Sequence, residues 1–156
     1  MSTEASPVSG GPHRDWSLTD PTELLPHRDP FLLVTSIVDV DPGVSARCRW
    51  VLSGEEVFWP GHFPGRPTMP GVLMIESLAQ TGAIALMADE RFASKLALFG
   101  GVDGVRFRRQ VVPGETLELE VVLGQMSSRI GKGHGKASVD GKTACEADLL
   151  FVLADR

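Results

Sequence analysis

Gly71-Val72-Leu73-Met74-Ile75-Glu76-Ser77-Leu78-Ala79-Gln80-Thr81-Gly82-Ala83-Ile84-Ala85-Leu86-Met87-Ala88 is the one long stretch of this chain that reads as a helix, and Glu76 is its only charged residue. A helix apolar nearly all round is either a membrane span or a core helix wrapped on most sides. The stretch is near the lower length limit for a span. Glu76, Gln80 and Thr81 fall on one side, and strand-like segments surround it. It therefore reads as a buried core helix.

Immediately upstream, residues 58–70 (Phe58-Trp59-Pro60-Gly61-His62-Phe63-Pro64-Gly65-Arg66-Pro67-Thr68-Met69-Pro70) hold four prolines and two glycines. Such a segment follows a nearly fixed course without regular hydrogen bonding, and a stiff loop holds a side chain in one orientation. Further upstream, Val44, Ala46, Cys48, Trp50 and Leu52 alternate with Ser45, Arg47 and Arg49, the period of a half-buried strand. The turn signal Asp41-Pro42-Gly43 joins it to Phe31–Val40, which reads as a second strand. Downstream, Leu96 to Phe107, then Leu117 to Leu123, then a hairpin of Gly131–Val139 and Thr143–Leu153 about Asp140-Gly141 read as strands.

Five or six antiparallel strands and one buried helix, inserted after the second strand, make an α+β chain. A sheet curled around a single apolar helix satisfies both elements, an arrangement of the hotdog type. A long open edge strand invites pairing, so a dimer at least is expected.

The 156 residues fit one domain, and 42% hydrophobic content allows a real core. Residues 1–21 are Ser-, Pro- and Gly-rich and read as a disordered tail, leaving 22–156 as the domain. No signal peptide is visible and no oxidising compartment is demanded, so a cytoplasmic protein is expected. The net charge of −5 argues against nonspecific nucleic-acid binding. Cys48 and Cys145 match no zinc or redox spacing and read as small core residues. His13, His27, His62 and His134 have no ligand-like spacing, so neither a metal nor another cofactor is implied.

Three features converge within fifteen residues. His62 lies in the stiff loop, and an imidazole is the usual general base at neutral pH, although a loop histidine also suits a bond to a backbone carbonyl. Glu76 is the lone carboxylate of an apolar helix. Burying a charge is costly, and a carboxyl kept neutral can donate a proton; a buried Glu reaching stray backbone groups or solvent is the plainer account. The Pro70-Gly71 helix start combines a preorganised proline with a residue lacking Cβ. A ligand oxygen can approach the N–H groups there, although ordinary helix initiation explains the pair as well. Together they suit β-elimination from a β-hydroxyacyl thioester: a base for the α-proton, an acid for the departing hydroxide, and a donor for the enolate-like oxygen. His62, Glu76 and the Gly71 N–H supply one each. Val72, Pro70, Phe63 and Gln80 are the accompanying candidate substrate-binding residues.

Leu25-Pro26-His27-Arg28-Asp29-Pro30-Phe31-Leu32-Leu33-Val34 resembles the opening motif of FabZ-type 3-hydroxyacyl-[acyl-carrier-protein] dehydratases. Gly61-His62-Phe63-Pro64-Gly65-Arg66-Pro67 resembles their histidine loop, and Met69-Pro70-Gly71-Val72-Leu73-Met74-Ile75-Glu76-Ser77-Leu78-Ala79-Gln80 their central helix. Val105-Arg106-Phe107-Arg108-Arg109 with Val112-Pro113-Gly114-Glu115 is similar to a later strand and turn. The resemblance covers residues 22 to 153.

It implies dehydration of (3R)-3-hydroxyacyl thioesters to trans-2-enoyl thioesters, in fatty-acid or polyketide biosynthesis, with phosphopantetheine-linked substrate on an acyl carrier protein. It implies His62 as base and Glu76 as acid, meeting at a dimer interface with one group from each subunit. A homodimer is expected, with a trimer of dimers or a heterodimer with a hotdog homologue left open. Glu76 stands where FabA-type isomerising relatives have Asp, which favours dehydration alone. Trp59-Pro60 replaces Phe-Gln of many relatives and Tyr is absent throughout, both read as changes at the mouth of the acyl tunnel. Carrier proteins are acidic, so the basic spot Arg106, Arg108 and Arg109 is a candidate docking site; a solvated strand face is the alternative. The rival readings are a hotdog acyl-thioesterase and a noncatalytic acyl-binding partner subunit.

Overall fold

The computed structural model describes residues 14–156; residues 1–13, which include His13 and most of the expected tail, lie outside the described residues. Order begins before Thr22, earlier than the tail expected over 1–21. Two short 3-10 turns, Trp16–Leu18 and Pro21–Glu23, are each opened by an aspartate. Asp15 accepts from the Ser17 N–H at 3.0 Å and Asp20 from the Thr22 N–H at 2.8 Å, while Glu23 accepts the Asp20 N–H at 3.1 Å. These caps satisfy the local donors and let Thr19 and Pro21 bury.

Six strands follow: β1 (Ser36–Asp41), β2 (Ser45–Val51), β3 (Lys95–Phe107), β4 (Thr116–Met126), β5 (Ile130–Val139) and β6 (Lys142–Asp155). They form one sheet in the order β1-β2-β4-β5-β6-β3, with every neighbouring pair antiparallel. The helix α1 (Gly71–Met87) enters between β2 and β3 in sequence and packs on the sheet. Among the described residues no helix is long and apolar enough to cross a membrane.

The sheet's inner face explains how it accepts a helix at close range. On β4, Leu117, Leu119 and Val121 are buried while Glu118, Glu120 and Val122 face out. On β5 the inward positions are Gly131, Gly133, Gly135 and Ala137, alternating with Lys132, His134 and Lys136. A Cβ at Gly135 would stand 3.3 Å from the Leu78 side chain, so the bare backbone is what lets α1 lie down here. Gly82 plays the reciprocal part on the helix, since a Cβ there would overlap the Phe151 ring. Asp140 and Gly141 have φ of 50° and 77°, the two successive positive values of a tight β5–β6 hairpin turn.

Two strand expectations need correction. Phe31-Leu32-Leu33-Val34 is not strand, and β1 starts only at Ser36. The Leu33 N–H donates to Gln80 Oε1 at 3.0 Å and the Phe31 carbonyl accepts from Gln80 Nε2 at 2.9 Å, so part of this backbone is satisfied by a helix side chain rather than by a strand. Val44, expected on the buried face with Ala46, Cys48 and Trp50, sits in the turn and is 48% exposed.

The free thiols of Cys48 and Cys145 are buried. Burial pushes Cys48 up to about 12, against a hydrogen bond with Thr81, and Cys145 up to about 11, with the nearby Glu146 charge adding to the effect.

Candidate active site

The histidine loop is stapled to itself and to the core. Phe63 N–H and Arg66 N–H donate to each other's carbonyls at 3.0 and 2.9 Å, Thr68 N–H donates to the His62 carbonyl at 2.8 Å, and Met69 N–H donates to Val111 O at 2.8 Å. Trp59 anchors the loop's start. It is buried, its Nε1–H donates to Glu56 Oε1 at 3.2 Å, and its ring lies 4.8 Å from that of Phe58. Trp59, expected at a tunnel mouth, is instead core packing, because its large ring is the apolar group that can pin a proline-rich loop.

His62 is held in one tautomer. Its Nδ1 is 2.7 Å from the Thr68 carbonyl, which can only accept, so Nδ1 carries the hydrogen and Nε2 carries the lone pair. The backbone bond that accounts for a bland loop histidine therefore also presents a base. The Phe63 ring stacks on the imidazole at 4.1 Å and is itself half exposed.

Gly71 begins α1, and Pro70 is its N-cap rather than its first residue, with no side chain capping the helix. Uncapped N–H groups at a helix start attract negative charge. Gly71 and Val72 line a cleft of about 490 Å³ with Thr68, Phe107 and Arg108. A Cβ at Gly71 would come within 2.6 Å of the Phe107 ring, so glycine keeps this lip narrow without closing it.

Glu76, one turn further along α1, faces a separate small cavity of about 40 Å³, lined also by His27, Gln80, Ala97, Phe99 and Phe151. His62 is not among the residues lining it. Glu76 Oε1 accepts from Gln80 Nε2 at 3.1 Å and stands 3.7 Å from His27 Nε2. Gln80, expected to touch substrate, is buried, and its amide is committed to Phe31, Leu33 and Glu76. It is a clamp between the helix and the 31–33 segment, and it fixes Glu76. His27 is the residue at this cavity to which the sequence reading gave no part. The signal was available, since His27 stands in the Leu25–Val34 motif, but nothing in that motif says which helix position it meets.

Of the basic residues, Arg109 is committed. Its guanidinium bonds both oxygens of Glu115 at 2.8 and 3.0 Å and holds that carboxyl below the usual carboxylate range. Arg108 reaches Glu146 at 3.3 Å from an exposed position, and Arg106 bonds the Val105 carbonyl.

The edge strand β3 spans thirteen residues, and Leu98, Phe99, Val102 and Phe107 along it are each more than a third exposed. Ala97 and Phe99 also wall the Glu76 cavity. A chain laid along β3 would thus lie over Glu76.

A family model described as a FabA-like domain matches residues 25–148. A 3-hydroxyacyl-[acyl-carrier-protein] dehydratase FabZ from Chloroflexus aggregans is 52% identical over 139 residues, covering 89% of this chain and 96% of the relative. One from Moorella thermoacetica is 49% identical over 142 residues, covering 91% and 98%. One from Staphylococcus aureus is 48% identical over 133 residues, covering 85% and 91%. Among solved structures, the dehydratase heterocomplex ApeI:P from Xenorhabdus doucetiae superimposes with a TM-score of 0.74 at 22% identity, covering 87% of this chain and 91% of that one. A sigma28-regulated virulence protein from Campylobacter jejuni gives a TM-score of 0.67 at 15% identity, covering 87% and 88%. Both structures share the fold.

Proposed function

Because the chain belongs to the FabA-like family, among its FabZ-type 3-hydroxyacyl-[acyl-carrier-protein] dehydratases, we propose that His62 and Glu76 carry out the dehydration at an interface between two copies of it. The enzyme removes water from 3-hydroxyacyl thioesters in fatty-acid biosynthesis. The observation that carries the assignment of the base is the His62 tautomer, with Nδ1–H bound to Thr68 and a lone pair left on Nε2.

His62 Nε2 takes the α-proton. The electron pair of the broken C–H bond flows toward the thioester carbonyl, whose oxygen is stabilised by the Gly71 N–H at the positive end of α1. The pair then forms the α,β double bond as the β C–O bond breaks, and the departing hydroxide takes a proton from Glu76 to leave as water. The enzyme ends with a protonated imidazole and a carboxylate, which exchange protons with solvent before the next turn. Val72 and Phe63, both exposed near the helix start and the loop, are proposed to touch the substrate, with Pro70 setting the helix entry.

Two copies are proposed because a partner along β3 would cover the Glu76 cavity and bring its own histidine loop toward that site. The accompanying partner is an acidic acyl carrier protein, docking on Arg106 and Arg108; Arg109, bound to Glu115, is structural. With Arg106→Glu, the KM for carrier-bound substrate should rise about fivefold, while the KM for a short pantetheine thioester stays put. An unchanged KM for the carrier-bound form removes this docking site.

Mass spectrometry of a carrier-bound 3-hydroxyacyl chain after incubation tests the activity. Loss of one water from the carrier-bound species is expected. Release of free hydroxy acid would instead make the protein a thioesterase, and binding without turnover would make it a noncatalytic partner.

A further inference from the structure

The Glu76 cavity holds a second titratable group, and its geometry is one-sided. His27 is presented by a tightly curled backbone: Leu25 beside it is buried, and the Arg28 guanidinium donates to the Leu25 and His27 carbonyls at 2.8 and 2.7 Å. This sets the imidazole against α1, with Nε2 3.7 Å from Glu76 Oε1 and both side chains three-quarters or more buried. The remaining walls, Ala79, Ala83, Ala97, Phe99 and Phe151, are apolar, and Gln80 is the other polar lining residue. His27 and Glu76 are thus the titratable pair of this cavity.

The far nitrogen of the ring decides where its hydrogen sits. His27 Nδ1 is buried and has no hydrogen-bond partner among the described residues. A hydrogen on Nδ1 would be a buried donor without an acceptor, which is costly, whereas a bare lone pair is the lesser loss. The ring therefore carries its hydrogen on Nε2, the nitrogen that faces Glu76. Gln80 Nε2 already donates to the same oxygen, Oε1, at 3.1 Å.

We infer that His27 is a positioning residue which, with Gln80, directs N–H groups onto Oε1 of Glu76, so that Oε2 is the oxygen that delivers the proton to the departing hydroxide. The inference rests on the reading of Glu76 as the acid. A carboxyl with two donors on one oxygen is fixed in rotation and carries its proton on the other, and the reaction needs that directionality. The present 3.7 Å separation is longer than a hydrogen bond, as contacts of this kind commonly are before substrate tightens them.

Nitrogen NMR of histidine-labelled protein at neutral pH should show His27 protonated at Nε2 and bare at Nδ1; a hydrogen on Nδ1 overturns the inference. His27→Leu should lower kcat about tenfold with KM within twofold of the parent, and His27→Gln, whose amide N–H reaches the same oxygen, should recover most of the loss. An unaltered kcat in His27→Leu, or a loss that His27→Gln does not repair, also overturns it. If His27→Leu fails to fold, the NMR tautomer and the His27→Gln rate decide. Glu76→Gln separates the two levels: an active Glu76→Gln enzyme removes the acid assignment itself, while an inactive one beside a fully active His27→Leu removes only the role of His27.

Discussion

A protein carrying His62→Ala should dehydrate a carrier-bound 3-hydroxyacyl thioester about 10³-fold more slowly than the parent, and so should one carrying Glu76→Ala, because each removes one of the two proton transfers. The decisive result comes from mixing them. If the base of one copy serves the acid of the other, a mixed dimer holds one site lacking both groups and one site holding both. Random reassociation makes half the dimers mixed, so refolding the two variants together should restore about a quarter of the parental rate. Neither pure variant can reach that level. Verified mixed dimers with no recovery would place both groups of each site on one chain, and the His62 loop would then have to reach a cavity that it does not line here. The measurement is a steady-state rate on subunits distinguished by tags and quantified after separation.

Phe151→Ala should cost about 3–5 kcal/mol of stability, the range for deleting a fully buried aromatic ring, and lower the melting temperature by roughly 10 °C for a chain of this size. Phe151 is 1% exposed, lies on β6, and fills the space left by the missing side chain of Gly82. That pairing gives the prediction its internal control. Gly82→Ala alone forces a methyl into the ring and destabilises, whereas in a Phe151→Leu background the same methyl meets a smaller neighbour. The two costs should therefore sum to more than the double variant shows, a coupling measured by thermal or urea denaturation of the four proteins. Additive costs would mean that helix and sheet do not fit together through this contact.

The fold was legible in the sequence where one element decided its own environment. The apolar stretch at 71–88 had little beyond Glu76, Gln80 and Thr81 to offer water, so a sheet had to cover it, and the alternation along β4, β5 and β6 supplied that sheet. The parts that were not legible were those in which a side chain substitutes for a regular partner. Phe31–Val34 is apolar and looks like strand, yet Gln80, forty-seven residues away from Leu33, takes up its backbone groups. Trp59 looks like a departure at the tunnel mouth because Trp59-Pro60 stands where many relatives have Phe-Gln, yet its indole is buried against Phe58 and Glu56. The caps at Asp15 and Asp20 were hidden by a Ser- and Pro-rich composition that elsewhere reads as tail. At the site, residue type exposed the base, the acid and the helix start. It did not expose which ring nitrogen is presented, since that follows from a carbonyl six residues on, nor that His27 meets Glu76 across the fold.

The two native thiols have a practical corollary. Maleimides and other alkylating reagents attack the thiolate, and both sulfurs are enclosed and shifted far above neutral pH. A single cysteine introduced at an exposed position such as Val57 would be the one reactive sulfur on the folded protein at neutral pH. A fluorophore or spin label can then be installed there with Cys48 and Cys145 left as they are, and subunit exchange followed by energy transfer on a protein whose interior packing has not been altered.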